Sequence, residues 1–326
     1  VKNDTKIRIG VVGVGHLGNF HLKQLKVISN ILITGIYDND PIRAGEMSST
    51  YNVRSFSSLK ELLSESQAIS VVTPTSTHYS IANQALSADC HLFIEKPITD
   101  NINHAKKLLN KADRLKKIIQ VGHIERFNPA FNILKTMKLK PRFIEAHRLA
   151  KFNTRGSDVP VILDLMIHDL DIILSLVKSE IKKINANGVS VISNTSDIAN
   201  ARIEFENGCV ANITASRISQ KNMRKMRLFQ ENDYITIDFQ KGSIEEYQVS
   251  EINPNLDNNN IIAELEGEEK KYIIYNKPNV YQYDALKKEL NHFIYSIKNA
   301  SKPETDGVSA AKALSIGLKI QNIIDQ

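Results

Sequence analysis

Short apolar runs rich in β-branched residues recur along the first third of the chain, each separated from the next by a stretch with helical spacing. Apolar residues up to Val12 read as an opening strand, Asn19 to about Ser29 as a helix and Ile31 to Tyr37 as a second strand. Pro41 to Tyr51 then reads as a helix, Val53 to Phe56 as a short strand and Leu59 to Ser64 as a helix. Ala68 to Val72 is predicted as a buried strand, Thr77 to Ser87 as a helix and His91 to Ile94 as a strand. His104 to Leu115 (helix) and Ile118 to Val121 (strand) complete the alternation. Buried β-branched runs that take turns with helices predict a parallel, doubly wound sheet. The residues after Val12, Tyr37, Val72, Ile94 and Val121 should then share one sheet edge.

The pattern changes beyond Ile124. Phe143 to His147 reads as a strand and Pro160 to Val177 as a long amphipathic helix. Strands dominate from Ile184: Ile184 to Val191, Ala199 to Phe205, Cys209 to Ser216, Met226 to Gln230, Tyr234 to Phe239 and Lys271 to Tyr275. Glu206-Asn207-Gly208 is a compact hairpin turn, Asn253 to Asn260 reads as a loop, and helices over Tyr281 to Lys298 and Val308 to Ile324 end the chain. The expected fold is therefore α/β in residues 1–124, followed by an α+β domain over 125–326 with an open, largely antiparallel sheet. An open sheet needs its other face covered, so a homodimer or homotetramer through that sheet is expected.

Composition narrows the picture only slightly. With 326 residues, 42% of them hydrophobic, the chain can build two cores. No apolar stretch approaches a membrane span, and the polar start Val1 to Lys6 is unlike a signal peptide. Cys90 and Cys209 lie far apart without metal or redox spacing, so a reduced cytoplasmic protein is expected. The net charge of +6 is mild for this length. Its basic clusters do not interleave with aromatics as a nucleic-acid surface would, though a modest positive field would help attract an anionic small substrate. The histidines and acids have no metal-ligand spacing.

Chemistry enters at Gly13-Val14-Gly15-His16-Leu17-Gly18, between the first strand and the first helix, with Asp38 at the end of the second strand. Gly13 permits the tight turn, Gly15 lets backbone approach a pyrophosphate, and Gly18 lets helix and strand pack closely. The pyrophosphate of a dinucleotide then sits at the helix N-terminus, with His16 and Leu17 beside it in the loop. A carboxylate at Asp38 accepts hydrogen bonds from the adenine ribose and repels a 2′-phosphate, so NAD is expected over NADP. Arg43 is the one nearby cation, and its plain reading is a solvated helix residue.

Two further pieces carry polar chemistry. Glu95-Lys96-Pro97 follows the strand His91 to Ile94, which places a lysine at a strand's carboxyl end on the nicotinamide side; the alternative is a solvated lysine. Asp164 and His168 are four residues apart within Leu163 to Asp171, so they share a helix face, with Asp171 near it one turn on. A carboxylate one turn before an imidazole can orient the ring and raise its basicity, as a general base requires. His78 joins His16 as a plausible cofactor neighbour, whereas His21, His123, His147 and His292 read as surface or core residues.

Taken together, Gly13-x-Gly15-x-x-Gly18, Thr73-Pro74 with His78, Glu95-Lys96-Pro97 and Asp164-x-x-x-His168 occur in the order seen in the glucose–fructose oxidoreductase, inositol dehydrogenase and MocA family, which the whole chain resembles. The resemblance implies a Rossmann domain, an α+β domain whose open sheet mediates oligomer contacts, and NAD(P)-dependent chemistry on a carbinol of a sugar or cyclitol. It implies that Lys96, Asp164 and His168 are catalytic and that Thr73, Pro74, His78 and Glu95 line the cofactor. One departure is that Val161-Ile162-Leu163 stand where many relatives have glycines, with Gly156 further back, which affects the pocket's shape more than its chemistry. The stretch Val121 to Pro129, with Arg126 and Asn128, is similar to that of nucleotide-sugar dehydrogenases; its plain reading is a helix start with solvated charges. Arg148, Lys151 and Arg155 add donors for a diphosphate. These point to UDP-N-acetylglucosamine, oxidised at C3, as substrate. A free sugar or cyclitol, or a cofactor-binding sensor without catalysis, are the alternatives.

Overall fold

The computed structural model describes residues 6–153, 159–251, 261–265 and 271–326. Arg155, Gly156 and the loop expected at Asn253 to Asn260 lie outside the described residues. Two compact units are present. One comprises the chain up to Phe127 together with Asp284–Ser315, and the other Asn128–Tyr283 with Ile316–Gln326.

The first unit contains β1 (Ile7–Val12), α1 (His16–Leu25), β2 (Ile31–Tyr37), α2 (Pro41–Tyr51), α3 (Leu59–Glu65), β3 (Ala68–Val71), α4 (Thr75–Ser87), β4 (His91–Glu95), α5 (Ile102–Arg114) and β5 (Ile119–Gly122). All five strands pair in parallel in the order β2-β1-β3-β4-β5, the doubly wound sheet expected. Val53 to Phe56 does not form a strand; it reduces to a single bridge between Ser55 and Ile36. Gly35 lies under this segment, where a Cβ would come within 2.4 Å of the Arg54 carbonyl oxygen and 2.5 Å of Phe56 Cε2.

A 3-10 turn (Ile124–Phe127) ends the first stretch of the first unit, and the second unit begins with α6 (Pro129–Leu134) and β6 (Phe143–Leu149). A π-helical segment (Ile162–Met166) runs straight into α7 (Ile167–Leu176), then β7 (Ile181–Val189), β8 (Ile198–Phe205), β9 (Val210–Ser216), β10 (Met223–Gln230), β11 (Asp233–Asp238), β12 (Ser243–Ser250), β13 (Ile261–Leu265) and β14 (Lys271–Asn276) follow. These strands form one nine-stranded sheet in the order β13-β14-β12-β11-β10-β6-β9-β8-β7. It is antiparallel except for β6 beside β9. Alternation sets its two faces: Ile144 and Ala146, Ala201 and Ile203, Ala211 and Ile213, and Ile235 and Ile237 are all buried.

The chain ends with α8 (Ala285–Asn299) and α9 (Gly307–Ile324). Although α8 is remote in sequence from the parallel sheet, it packs in the first unit, and topology explains why. Right-handed crossovers that step from β3 to β4 to β5 leave their helices on one face, so the other face beyond α1 needs a cover. Leu290, Phe293 and Ile294 of α8 join Ile9, Val11, Leu22, Leu25 and Phe93 in one buried cluster. Phe93 and Phe293 meet edge to face at 5.8 Å, and Asp284 caps the helix through the Lys287 N–H. The compact first unit is thus discontinuous in sequence, unlike the expected division at residue 124.

Candidate active site

In the first unit, the glycine turn has the geometry its spacing predicts. Gly13 has φ +86°, and a Cβ there would lie 2.5 Å from the Val72 carbonyl oxygen. A Cβ on Gly18 would collide with the carbonyl oxygen of Gly13, so α1 reaches the strand only because that position is bare. Gly15 faces open space. It begins α1 without a side-chain cap, and the first turn holds no acid. The N–H groups there suit an anion, which is the fit a dinucleotide pyrophosphate requires. His16 opens the helix and lies edge-on to Phe20 at 5.1 Å, while Leu17 is exposed.

Asp38 is tied into the same turn. Its Oδ2 accepts the Val14 N–H at 2.8 Å and its Oδ1 the Asp40 N–H at 2.9 Å. A carboxylate has about four acceptor positions, so capacity is left for ribose hydroxyls. Arg43, half-exposed, stands 3.9 Å from Asp38 and 3.4 Å from Asp40. Replacing Asp38 with alanine removes a charge-assisted bond to the turn as well as the ribose acceptor. We expect NAD affinity to fall about tenfold or more and discrimination against NADP to shrink, which fluorescence titration with both cofactors would measure.

Thr73, Pro74, His78, Glu95 and Lys96 gather around the ends of β3 and β4. His78, fully buried, places Nδ1 2.8 Å from the Pro97 carbonyl oxygen and Nε2 2.8 Å from that of Thr73. Burial lowers its pKa against the opposing pull of those two carbonyls and Glu95. Glu95 Oε1 lies 3.0 Å from His21 Nε2, whose Nδ1 lies 2.9 Å from the Ser70 hydroxyl. Burial works against the Glu95 charge, yet the His21 contact and the neighbouring Lys96 hold its carboxyl below the usual range. His21, expected only as a surface or core residue, is therefore part of the Glu95 environment. Its signal in the sequence was its place on α1, five residues from the start of the helix.

In the second unit the Asp164 helix has one open strip. From Val161 to Ile173 every residue is buried except Asp164, Leu165 and His168. Asp164 and His168 thus both escape burial on this segment, and Asp164 sits in a π-helical rather than an α-helical turn. Asp171 is buried instead of sharing the strip. Leu163, one of the residues standing where relatives have glycine, lies opposite Gly317 of α9, where a Cβ would come within 3.1 Å of its Cδ2.

Two buried ion pairs pin this helix. Arg148 on β6 donates Nε and Nη2 to the two carboxylate oxygens of Asp169, each at 2.9 Å. The expectation that Arg148 meets a diphosphate is thereby corrected: its guanidinium is buried and engaged by Asp169. Arg217, just beyond β9, donates Nε to Asp197 at 2.8 Å and Nη1 to the Val159 carbonyl at 2.6 Å, at the start of the helix. Burial opposes the Asp197 charge, but N–H groups of Ile192 and Ser193, the Ser193 hydroxyl and Arg217 hold its carboxyl far below the usual range. A carboxyl depressed on folding stabilises fully above its unfolded pKa of about 4 and loses that contribution as pH falls below it. Asp197→Asn should therefore melt earlier than the parent at neutral pH, with the gap closing below about pH 4 in an acid melting series.

Arg126 and Asn128 also have structural work. Arg126, mostly buried, donates Nη2 to the Glu304 carbonyl at 3.2 Å. Asn128 caps α6 through the Ala130 N–H and donates to the Phe239 carbonyl at 2.9 Å. Lys151 is exposed. A cavity of about 610 Å³ in the second unit, bordered by Lys135, Lys140, Arg142 and Lys178, contains none of the candidate residues. Two of these cations, Lys135 and Lys178, follow the ends of α6 and α7, where helix carbonyls favour them.

A family profile described as an oxidoreductase family with an NAD-binding Rossmann fold matches residues 7–123, and the C-terminal domain profile of the same family matches residues 141–245. The chain belongs to the Gfo/Idh/MocA oxidoreductase family. It is 34% identical over 320 residues to UDP-N-acetylglucosamine 3-dehydrogenase of Acidithiobacillus ferrooxidans, covering 98% of this chain and 97% of that protein. The solved structure of that relative superposes with a TM-score of 0.88, covering 98% of both chains. Myo-inositol 2-dehydrogenase of Thermotoga maritima is 23% identical over 339 residues, covering 98% and 97%. A scyllo-inositol dehydrogenase from Lactobacillus casei, solved with NAD(H) and scyllo-inositol, shares the fold at 18% identity and a TM-score of 0.78, covering 98% of this chain and 97% of that one.

Proposed function

We propose that this member of the Gfo/Idh/MocA family is an NAD-dependent dehydrogenase that oxidises the C3 carbinol of UDP-N-acetylglucosamine. The observation that carries the substrate is the likeness to UDP-N-acetylglucosamine 3-dehydrogenase, which extends over 98% of the chain. Gly13, Gly15, His16, Leu17 and Gly18 would hold the pyrophosphate, Asp38 the adenine ribose, and Thr73, Pro74, His78 and Lys96 the nicotinamide end. When bound, the nicotinamide supplies the hydride acceptor.

The chain's own groups do the proton and charge work. His168 takes the hydroxyl proton, with Asp164 one turn before it orienting the ring. Lys96 hydrogen-bonds a substrate oxygen and stabilises the alkoxide charge that develops there. The two roles are interchangeable in principle, since both nitrogens can serve a carbinol oxygen. Protein mixed with NAD and, separately, UDP-N-acetylglucosamine, myo-inositol and free aldoses tests the reading through reduced-nicotinamide absorbance. Turnover with the nucleotide sugar is expected; turnover with uncharged polyols alone would transfer the assignment to a cyclitol or free sugar.

The same reading includes a homo-oligomer built on the nine-stranded sheet. Phe143, Phe229, Tyr234, Tyr247 and Tyr275 are direct cross-strand neighbours on β6, β10, β11, β12 and β14, with successive ring centroids 5.7, 4.8, 5.4 and 5.1 Å apart. All five are only half-buried. An aromatic row of this kind suits a protein interface. Light scattering should show a dimer or tetramer for the parent and dissociation for Tyr247→Arg. A monomeric parent would remove the oligomer. Cytoplasmic placement accords with Cys90 and Cys209, which are free, buried and have thiol pKa values pushed up by burial to about 11.

A further inference from the structure

Lys96 has a buried imidazole on each side of it. Glu95, the preceding residue, meets His21 of α1, and the carbonyl of Pro97, the following residue, meets His78 of α4. Both histidines are 1% exposed. The Lys96 N–H itself donates to Glu95 Oε2 at 3.2 Å. The carboxylate lies over Gly122, its partner on β5, where a Cβ would come within 2.7 Å of Oε1. Glu95 therefore has a pocket shaped to it, with His21 on one side and bare backbone on another.

We propose that His21 and His78 are positioning residues that fix the backbone carrying Lys96, and so aim its amine. This rests on the reading of Lys96 as the group that stabilises alkoxide charge. The hydrogen-bond inventory supports separate jobs for the two rings. One neutral tautomer of His21 satisfies both its contacts, with Nε2–H donating to Glu95 and the Ser70 hydroxyl donating to Nδ1. His78 faces two carbonyl oxygens, and a neutral ring has one N–H to offer. That proton sits on Nδ1, toward Pro97.

Both rings also sit on elements that meet the cofactor. His21 is on the helix begun by the glycine turn, and His78 is on the helix that starts just after Thr73-Pro74. The helix that follows the pyrophosphate turn and the strand end that carries Lys96 are thereby joined through the contact of His21 with Glu95.

Amide substitutions separate positioning from bulk stability, because the asparagine amide nitrogen replaces Nδ1 and that of glutamine replaces Nε2. His21→Gln keeps the Glu95 contact and His21→Asn loses it; His78→Asn keeps the Pro97 contact and His78→Gln loses it. The first readout is the Lys96 resonance of the reductively methylated protein, labelled at the added methyl groups and assigned with Lys96→Arg. We expect it to move or broaden in His21→Asn and His78→Gln and to stay in place in His21→Gln and His78→Asn. The second readout is kcat, expected to fall about a hundredfold in His21→Asn and His78→Gln, to stay within about threefold of the parent in His21→Gln, and to fall less in His78→Asn than in His78→Gln. Gly122→Ala, which pushes the Glu95 carboxylate aside without touching either histidine, should behave like His21→Asn and serves if that variant does not fold. Equal effects within each pair, or the reverse order, would overturn the proposal. The resonance pattern without any dependence of turnover on Lys96 would instead overturn the catalytic reading and leave the positioning intact.

Discussion

Lys96→Ala and His168→Ala are each expected to lower kcat by two to three orders of magnitude while leaving the NAD dissociation constant within a few-fold of the parent. The magnitude follows from the roles. A donor directed at developing oxyanion charge is worth about 3–4 kcal/mol, and a positioned general base about 10²–10⁴ in rate. Cofactor affinity should survive because the proposed function assigns its main determinants elsewhere: the glycine turn with its uncapped helix start, and Asp38, which accepts the Val14 N–H. Asp164→Asn separates orientation from charge. It preserves a hydrogen-bonding side chain on the half-buried strip with His168, so its loss should be smaller than that of His168→Ala and should shift the pH profile of kcat. Stopped-flow absorbance for turnover and fluorescence titration for NAD provide the two numbers. Parent-like rates in both alanine variants would remove these residues from the chemistry and favour a cofactor-binding sensor.

Much of this was legible because it depends on local physics. The glycine spacing maps onto a turn in which Gly13 has a left-handed φ and Gly18 abuts the Gly13 carbonyl, and those needs are written in the residues themselves. The same holds for β2, whose limits coincide with the apolar run Ile31 to Tyr37, and for the parallel order of the first sheet. That Asp164 and His168 escape burial on a largely apolar helix was also readable, since most of their neighbours are apolar.

What escaped the sequence depended on partners far along the chain. β12 and β13 were missed because Ser243 to Ser250 mixes acids and polar residues with few apolar ones, and Ile261 to Leu265 is short. Only their neighbours in the sheet make them strands. The cover that α8 gives the parallel sheet cannot be read from its own periodicity, because it follows from the handedness of crossovers near the other end of the chain. Likewise Arg148 looked like a free cation near a substrate, when the acid that neutralises it lies 21 residues on. A charge reads as a ligand-binding group until its partner is known, and tertiary structure supplies that partner.

The Arg148–Asp169 pair provides the second large effect. Both side chains are nearly sealed from solvent, at 3% and 2% exposure, and two parallel N–H···O bonds join them. Removing one member leaves the other charge buried without its main counterpart, which typically costs about 3–5 kcal/mol. Arg148→Met should therefore lower the melting temperature by roughly 10 °C, given about 2–4 °C per kcal/mol for domains of this size. Asp169→Leu should do much the same. The double replacement should recover most of the loss, because desolvating a buried pair can cost nearly as much as the pair returns, and two apolar residues of similar volume remove both sides of that balance. Calorimetry on the two single variants and the double variant measures the coupling directly. Additive losses would mean that the two side chains stabilise the fold independently, through packing rather than through each other. Recovery on double replacement would show that β6 holds the helix of His168 by one charge matched to another.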